Sequence, residues 1–339
     1  MKADIVSNSK EQTDLWQQKE LRDPEVGPGE VLIRVRATSL NYRDLMVAKN
    51  DYGSPATEEL IPLSDGAGEV VAVGQGVSKW KVGDRVAGSF FRDWKSGWLR
   101  AEYQAAALGG SASGMLAQYV VLPAHGVVRI PEHLSFEEAA TLPCAGLTAW
   151  NALMESGPRL VPGSSILTLG TGGVSIFALQ FAKAAGLEVF STTSNEEKGK
   201  RLLSLGARKV VNYRTHPDWE KEILSLTGNQ GVDHVIEVGG AGTLPKSMTA
   251  VRYGGTISLI GVLTGTAAEV NPLPLLGKSA RLQGIYVGSV AMFELMNVMI
   301  EKLKIRPVID HVFSFSEASA ALKSLEAAGH FGKIVIRVD

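Results

Sequence analysis

The sequence predicts an α/β protein of two domains, and three observations lead to that class. With 339 residues, the chain exceeds the size at which a single hydrophobic core usually keeps growing. About the first 125 residues form short strand-like segments separated by Gly and Pro. From about Leu147, strand-like and helix-like segments alternate, which is typical of parallel βαβ units in a doubly wound sheet.

The composition excludes several classes of protein. Hydrophobic residues make up 45% and charged residues 20% of the chain, which is typical of a globular core and excludes disorder, collagen and a coiled coil. The net charge of −1 lacks the excess of basic residues that is typical of nucleic-acid-binding proteins. The single cysteine, Cys144, excludes a disulfide framework. Because we find no apolar leader and no apolar run of ~20 residues, we expect a cytoplasmic protein that does not enter a membrane.

The elements follow in order along the chain. Strands are predicted at 31–37, 66–77 and 83–86, with a long loop at 88–114. The alternating part is predicted to contain strands at 165–169, 188–192, 210–212, 232–238 and 255–263, and helices at 174–185 and 198–205. Beyond about residue 286, a helix at 292–303 and strands at 308–313 and 334–338 are predicted without a phosphate-binding turn.

A glycine-rich turn joins the strand at 165–169 to the following helix. It reads Gly170-Thr171-Gly172-Gly173-Val174-Ser175, with Ser175 where the full dinucleotide pattern has a third glycine. The first glycine permits a tight turn, and the second lets backbone amides approach a pyrophosphate at the start of the helix. We predict that Gly170, Gly172, Gly173 and Val174 bind a cofactor, whereas a turn that serves only helix–sheet packing is the alternative.

The next strand ends without the acidic residue that would bind the ribose of NAD. The segment reads Ser191-Thr192-Thr193-Ser194-Asn195, and the first acid is Glu196. Hydroxyls followed by lysines favour the 2′-phosphate of NADP(H), because no carboxylate repels it. Thr193, Ser194 and Lys198 are the predicted ligands. The alternative is that the basic residues form a solvated helix face, and we prefer it for Lys200.

A set of motifs distributed over nearly the whole chain is similar to that of one superfamily. The motifs are GEVLIRV (29–35), NYRD (41–44), GAGEV (66–70), VGDRV (82–86), GMLAQY (114–119), LPCAGLTA (142–149), the GTGGVS turn and GKIV (332–335). With these residues the chain resembles the medium-chain dehydrogenase/reductases, which include the zinc-type alcohol dehydrogenases and the zinc-free quinone and enoyl reductases. The resemblance implies a GroES-like β-barrel catalytic domain (1–145 and 287–339) and a Rossmann cofactor-binding domain (146–286), with cofactor and substrate in the cleft between them.

The resemblance also implies that neither zinc of the superfamily is present. The zinc enzymes have a Cys ligand where this chain has Asn41, a His-Glu pair at Ser64-Asp65, and a further Cys at Cys144. One thiolate cannot hold Zn²⁺ in a tetrahedral site, and no cysteines occur at 88–114, where the structural zinc would be held. Without a metal, hydrogen-bond donors must stabilise the negative oxygen, which a conjugated enone or a quinone makes easier.

The same resemblance suggests two catalytic residues. Tyr52 matches a catalytic tyrosine of enoyl thioester reductases and is expected to donate a proton or to stabilise an oxyanion. Asn41, in the position of the missing cysteine, is expected to orient the substrate or to hold the nicotinamide ribose. Solvent is an alternative source of the proton.

Further residues are assigned to the cofactor by position. Those expected to contact it are Tyr213, Val238, Gly261, Val262, Tyr286, Val287 and, through the 2′-phosphate, Lys333, for which a plain surface lysine is the alternative. Relatives pair edge strands into homodimers, and residues 254–270 could do so here.

The leading hypothesis is therefore an NADPH-dependent, zinc-independent oxidoreductase that acts on an α,β-unsaturated carbonyl or a quinone. The alternatives are an alcohol dehydrogenase or ketone reductase of the same superfamily, and a cofactor-binding protein without turnover.

Overall fold

The computed structural model describes residues 1–6, 15–52, 60–265, 267 and 269–339. Contacts divide the chain into unit 1, which comprises Met1–Leu147 and Val287–Asp339, and unit 2, Thr148–Tyr286. The first boundary therefore lies after residue 147, two residues later than the one predicted from the sequence, and the second lies after residue 286, as predicted.

The strands and helices have the following bounds. The strands are β1 (Lys2–Val6), β2 (Trp16–Glu20), β3 (Glu30–Ser39), β4 (Asp65–Val73), β5 (Arg85–Gly88), β6 (Tyr119–Pro123), β7 (Val127–Arg129), β8 (Ser165–Thr168), β9 (Glu188–Thr193), β10 (Lys209–Asn212), β11 (Val232–Glu237), β12 (Val251–Leu259), β13 (Arg281–Gly284), β14 (Ile309–Ser314) and β15 (Lys333–Arg337). The α-helices are α1 (Tyr42–Ala48), α2 (Ala101–Gln104), α3 (Phe136–Ala139), α4 (Leu147–Trp150), α5 (Gly173–Ala184), α6 (Glu196–Leu205), α7 (Trp219–Leu226), α8 (Leu244–Ala250), α9 (Leu273–Lys278), α10 (Val290–Leu303) and α11 (Ala318–Glu326). Short π-helical turns lie at Leu142–Gly146 and Asn151–Glu155, and a 3₁₀ turn lies at Phe315–Glu317. None of the helices within the described ranges is both long and apolar enough to cross a bilayer.

Unit 2 contains a parallel six-stranded sheet in the order β10-β9-β8-β11-β12-β13. The strand order reverses at β8, which makes the edge after β8 the topological switch point, where such sheets bind ligands. Leu167, Val235 and Ile257 on the central strands are fully buried, as expected for strands covered on both faces. The predicted doubly wound α/β fold is confirmed.

Unit 1 contains a mixed sheet in the order β14-β15-β3-β4-β5-β7, with β6 also paired to β3. On β3, the alternating residues Val31, Ile33 and Val35 are at most 1% exposed and form part of the core. The strand β15 pairs antiparallel with the end of β3, where Val335 lies opposite Ser39. This pairing brings the last strand of the chain next to the start of α1.

Some elements begin earlier than the apolar pattern predicts, because polar caps precede the periodic residues. The helix α6 begins at Glu196, since Oδ1 of Asn195 accepts the N–H of Lys198 at 2.8 Å. The helix α10 begins at Val290, after the N-cap Ser289. Several elements, most of them short, are not predicted by the sequence pattern: β1, β2, β6, β7, β13, α1, α2, α3, α4, α7, α8, α9 and α11. Of these, α2 lies within the predicted long loop at 88–114.

Candidate functional site

The first candidate site lies in unit 1, where β3 ends and α1 begins. Asn41 is the N-cap of α1, and its backbone N–H donates to Oδ2 of Asp44 at 2.7 Å. Asp44 is 1% exposed, and burial raises the pKa of its carboxyl to about 6 despite the opposing charge of Arg43. The Asn41 side chain therefore projects from a backbone that is fixed by the helix start.

Lys333, the first residue of β15, is buried beside Asn41. Its Nζ donates to Oδ1 of Asn41 at 2.6 Å and to the carbonyl oxygen of Leu40 at 2.5 Å. The same atom lies 3.7 Å from Oδ2 of Asp65. Two of the three donors of the ammonium are thus in hydrogen bonds, and the carboxylate of Asp65 is close enough to form an ion pair with it. The alternative of a plain surface lysine is wrong, because this side chain is only 3% exposed, whereas the contact of Lys333 with a 2′-phosphate stays a prediction. We call Asn41, Asp44, Asp65 and Lys333 the Asn41 site.

Asp65 is positioned by hydroxyl groups and by a strained turn. The hydroxyl of Ser64 donates to its Oδ1 at 2.7 Å, and the hydroxyl of Ser39 donates to its Oδ2 at 3.2 Å. Two residues before it, Leu63 has φ +68°, which is rare for a bulky residue and costs free energy. A Cβ at Gly114 would lie 2.1 Å from the carbonyl oxygen of Leu63, so glycine is required there.

Tyr52 lies beside a buried cation that the sequence analysis did not identify. The tyrosine is half-buried against the core of unit 1. The guanidinium carbon of Arg43 is 5.3 Å from the centre of the Tyr52 ring and 4.8 Å from that of Phe90. Nη1 of Arg43 donates to the carbonyl oxygen of Leu108 at 2.6 Å. Within the described ranges, Nε and Nη2 are buried without a hydrogen-bond partner.

The donor set around Asn41 is not that of a metal site. Desolvation, together with the carboxylate of Asp65, raises the pKa of the Cys144 thiol, so this thiol stays protonated and is a poor metal ligand. Among residues 1–6, 15–52, 60–265, 267 and 269–339, no three His, Cys, Asp or Glu side chains are grouped so that they could hold a metal. The cation beside Asn41 and Asp65 is the Lys333 ammonium.

A second candidate site lies in unit 2, at the switch point after β8. Gly170 has φ +70°, and its N–H donates to the Thr192 hydroxyl at 3.1 Å. Gly172 is the N-cap of α5, where Gly173 and Val174 form the first turn. A Cβ at Gly170 or Gly172 would meet no atom within 4 Å, which leaves open space above the helix N-terminus. The hydroxyl of Ser175 donates to the carbonyl oxygen of Leu169 at 2.7 Å, which explains why serine fits in place of the third glycine.

A cavity of about 260 Å³ adjoins the ends of β9 and β10. It is lined by Thr193, Glu196, Gly199, Lys200, Leu203, Val210 and Asn212. Lys200 is exposed, as expected for a solvated helix face, and it also lines this cavity, whereas Ser194, Lys198 and Tyr213 are not among the lining residues. The N–H of Tyr213 donates to the carbonyl oxygen of Thr193 at 2.9 Å.

The loop after β11 is held by a buried carboxylate that the sequence analysis missed. Oε1 of Glu237 accepts the N–H groups of Gly239 at 2.7 Å and Gly240 at 3.0 Å, and the Thr243 hydroxyl at 2.6 Å. Its Oε2 accepts the Ser247 hydroxyl. The sequence contains a signal for this role, because Glu237 ends a strand and is followed, after Val238, by two glycines whose N–H groups it can accept.

The remaining predicted cofactor residues lie at the carboxyl ends of β11 to β13. A Cβ at Gly261 would be 2.1 Å from the carbonyl oxygen of Val238, so the loops that follow β11 and β12 touch, and Val262 is half-buried beside them. Tyr286 is half-buried, and Val287 has φ +53° although it is β-branched. Such an unfavourable backbone conformation persists only where surrounding contacts enforce it, and here it lies where the chain passes from unit 2 to the second segment of unit 1.

Comparison with known proteins gives whole-length similarity. The model of the alcohol dehydrogenase GroES-like domain matches residues 27–132, and that of the zinc-binding dehydrogenases matches residues 173–303. The zinc-type alcohol dehydrogenase-like protein of Schizosaccharomyces pombe is 43% identical over 320 residues, which cover 93% of this chain and 92% of that protein. Human quinone oxidoreductase is 28% identical over 91% of this chain and 88% of that protein. A crystal structure of an NAD-dependent alcohol dehydrogenase is 31% identical, with 100% of each chain covered and a TM-score of 0.91.

Proposed function

The chain belongs to the medium-chain dehydrogenase/reductase superfamily, and from that premise we propose that it is an NADPH-dependent, zinc-independent reductase of α,β-unsaturated carbonyl compounds or quinones. Like its relatives, the chain is an NAD(P)-dependent oxidoreductase. The observation that carries the finer proposal is the chemistry of the Asn41 site, where an amide, an ammonium and a carboxylate meet.

This donor set does not fit zinc. Zn²⁺ is bound by thiolate, imidazole or carboxylate, and neither an amide nor an ammonium supplies such a ligand. The Lys333 ammonium is also a positive charge within hydrogen-bond distance of Asn41, and it would repel a divalent cation. The site supports a reaction in which hydrogen-bond donors stabilise the developing negative charge.

The proposed reaction assigns a separate role to each candidate residue. When bound, NADPH supplies a hydride from its nicotinamide ring to the β-carbon of the conjugated carbonyl. The carboxamide of Asn41 donates a hydrogen bond to the carbonyl oxygen, on which enolate charge develops. Tyr52, whose ring lies beside the guanidinium of Arg43, donates the proton that completes the reduction at the α-carbon.

The preference for NADPH is supported by the end of β9. Thr193 stands where an acid would repel the 2′-phosphate, and Lys200 brings a positive charge to the adjoining cavity. Glu196 brings a negative charge to the same cavity, and the solved relative is NAD-dependent by name. The two cofactors must therefore be compared directly.

Fluorescence titration of the Thr193→Asp variant tests this preference. The control is Thr193→Asn, because asparagine has the shape of aspartate without its charge. We expect wild type to bind NADPH more tightly than NADH. The Asp variant should lose about tenfold or more in NADPH affinity through like-charge repulsion, with NADH nearly unchanged. The Asn variant should bind both as wild type does. Tighter wild-type binding of NADH would reject NADPH as the cofactor.

The reaction is tested by steady-state oxidation of NADPH with enones, enals and quinones, with zinc content measured on the same sample. We expect turnover of conjugated substrates by protein that contains far less than one zinc per chain. Activity that needs about one zinc per chain would contradict the proposal.

Alcohol oxidation is the second candidate, because the 43% identical relative is named as alcohol dehydrogenase-like. Reduction of NADP⁺ by alcohols at a rate above that of enone reduction would favour it. NADPH binding without turnover of any carbonyl compound or alcohol would favour a binding protein.

We further propose a cytoplasmic homodimer, with no nucleic acid or membrane as partner. Within the segment 254–270 predicted to form the dimer, β12 pairs with both β11 and β13 and is therefore not an edge strand. The edge is β13, all four residues of which are exposed, and Leu276 of the preceding α9 is 77% exposed. Light scattering coupled to size exclusion should give twice the mass of the chain, and Leu276→Asp should lower it.

A further inference from the structure

We propose that Lys333 is a positioning residue, which turns the carboxamide nitrogen of Asn41 toward the carbonyl oxygen of the substrate. This inference rests on the proposed function, since it concerns how the same site handles its substrate. It assigns to Lys333 a role that its motif, GKIV at 332–335, does not reveal.

The orientation of the Asn41 amide is dictated by hydrogen-bond chemistry. An ammonium donates and cannot accept, so the amide atom that lies 2.6 Å from Nζ of Lys333 must be the oxygen. The reverse orientation would place the two N–H donors of the amide against the ammonium and leave the buried carbonyl oxygen unpaired. Lys333 thereby removes the freedom of the amide to rotate by 180°.

The nitrogen of the same amide is left without a partner. Among the described residues, Nδ2 of Asn41 is a buried donor with no acceptor. An unpaired buried donor costs free energy, and a ligand oxygen would recover it. Because the backbone of Asn41 is held by Asp44 and its Oδ1 by Lys333, the direction of Nδ2 is set before a ligand arrives.

The ammonium itself is held on three sides by oxygens of fixed parts of unit 1. The carbonyl of Leu40 accepts from Nζ at the end of β3, and Asp65 lies 3.7 Å away with two serine hydroxyls on its carboxylate. These contacts keep the Lys333 ammonium on Oδ1 of the Asn41 amide, while Nδ2 of the same amide is the atom proposed to face the substrate. The charge also polarises the amide in the sense that makes its N–H groups better donors.

The first variant, Asn41→Asp, removes the donor and keeps the shape. The carboxylate still accepts from Lys333, so the protein should fold, but no N–H faces the substrate. We expect kcat for an enone to fall about 100-fold or more, as for the loss of an oxyanion donor. The Kd of NADPH, measured by fluorescence, should change less than threefold.

The second variant removes the lysine without leaving a buried charge. Lys333→Met combined with Asp65→Asn replaces the ion pair by neutral groups, which protects the fold. The amide of Asn41 is then free to rotate, and we expect kcat to fall about tenfold at unchanged Kd for NADPH. Lys333→Arg keeps a donor and should recover part of this loss. Lys302→Met, which removes an exposed lysine of α10, is the matched control and should behave as wild type.

Two results with the variants would overturn the proposal: a folded double variant with wild-type kcat, or an Asn41→Asp variant in which the Kd of NADPH rises while kcat is preserved. The second would mean that the amide contacts the cofactor. If wild type reduces simple ketones and no conjugated compound, the proposed function fails, but the same variants still test Lys333 on the ketone oxygen. A wild type that turns over no carbonyl compound would overturn both.

Discussion

The Gly172→Ala variant tests whether the open space at the N-terminus of α5 holds the cofactor. Gly172 has φ −74° and ψ 172°, which alanine adopts without strain, and a Cβ there would touch no protein atom within 4 Å. The added methyl group therefore occupies only the space where a pyrophosphate would approach the first amides of the helix. We expect weaker cofactor binding in a protein of nearly unchanged stability.

The magnitude follows from the hydrogen bonds at stake. A methyl group that displaces the phosphate costs one charge-assisted hydrogen bond, about 1.5–3 kcal/mol, which is about a 10- to 150-fold rise in Kd. At the N-cap, alanine is worse than glycine, but the loss of unfolded-state entropy favours alanine by a similar amount. The free energy of unfolding should therefore change by less than about 1 kcal/mol.

The assay is fluorescence titration with NADPH and NADH, beside urea unfolding of the same samples. Gly277→Ala is the matched control, because this glycine of α9 also has free space around it and lies outside the turn. It should gain about 0.5–1 kcal/mol of stability and bind cofactor as wild type does. An unchanged Kd in Gly172→Ala would refute the assignment of the phosphate site.

Three more predictions concern stability. Gly114→Ala places a Cβ 2.1 Å from the carbonyl oxygen of Leu63, and it should destabilise the protein by about 1–3 kcal/mol in urea; wild-type stability would contradict the strained turn. Glu237→Leu leaves the N–H groups of Gly239 and Gly240 without their acceptor and should lower the free energy of unfolding by at least about 2 kcal/mol. Glu237→Gln keeps an acceptor and should lower it clearly less, so equal losses would argue against hydrogen bonding as the cause. Burial raises the pKa of Asp4 to about 6, so the native state binds more protons than the unfolded chain between about pH 4 and 6, and wild-type stability falls as pH rises through this window. Asp4→Asn should match wild type near pH 4 and exceed its stability by about 2–3 kcal/mol at pH 7, and a difference that does not depend on pH would refute this reasoning.

Features with local signals were predictable from the sequence. The turn at Gly170–Ser175 is preceded by a short apolar run and followed by a periodic helix, so its place at a strand end could be inferred without tertiary information. The alternation of strands and helices likewise implied the doubly wound sheet of unit 2.

The helix period alone predicts which residues of α6 lie together on one face. With the helix starting at Glu196, the residues at 196, 199, 200 and 203 share one face and line the cavity. Lys198 is about 200° away from Glu196 around the helix, and it is not among the residues that line the cavity.

The environment of Lys333 could not be predicted in this way. Its partner Asn41 is 292 positions earlier in the chain, and only the pairing of β15 with β3 brings the two together. The buried Arg43 beside Tyr52 was missed for a related reason, since burial of a cation is set by the rings and carbonyls packed around it.

The long separation between Asn41 and Lys333 has a consequence for biosynthesis. All of unit 2 is translated between these two residues, so unit 2 can fold while the first part of unit 1 still lacks its last strand. Until Lys333 emerges from the ribosome, Asp65 lacks the ammonium that lies beside it in the folded protein. The nascent chain should therefore complete unit 2 before it acquires the arrangement of the Asn41 site, and a chain that stops short of β15 should lack that arrangement altogether.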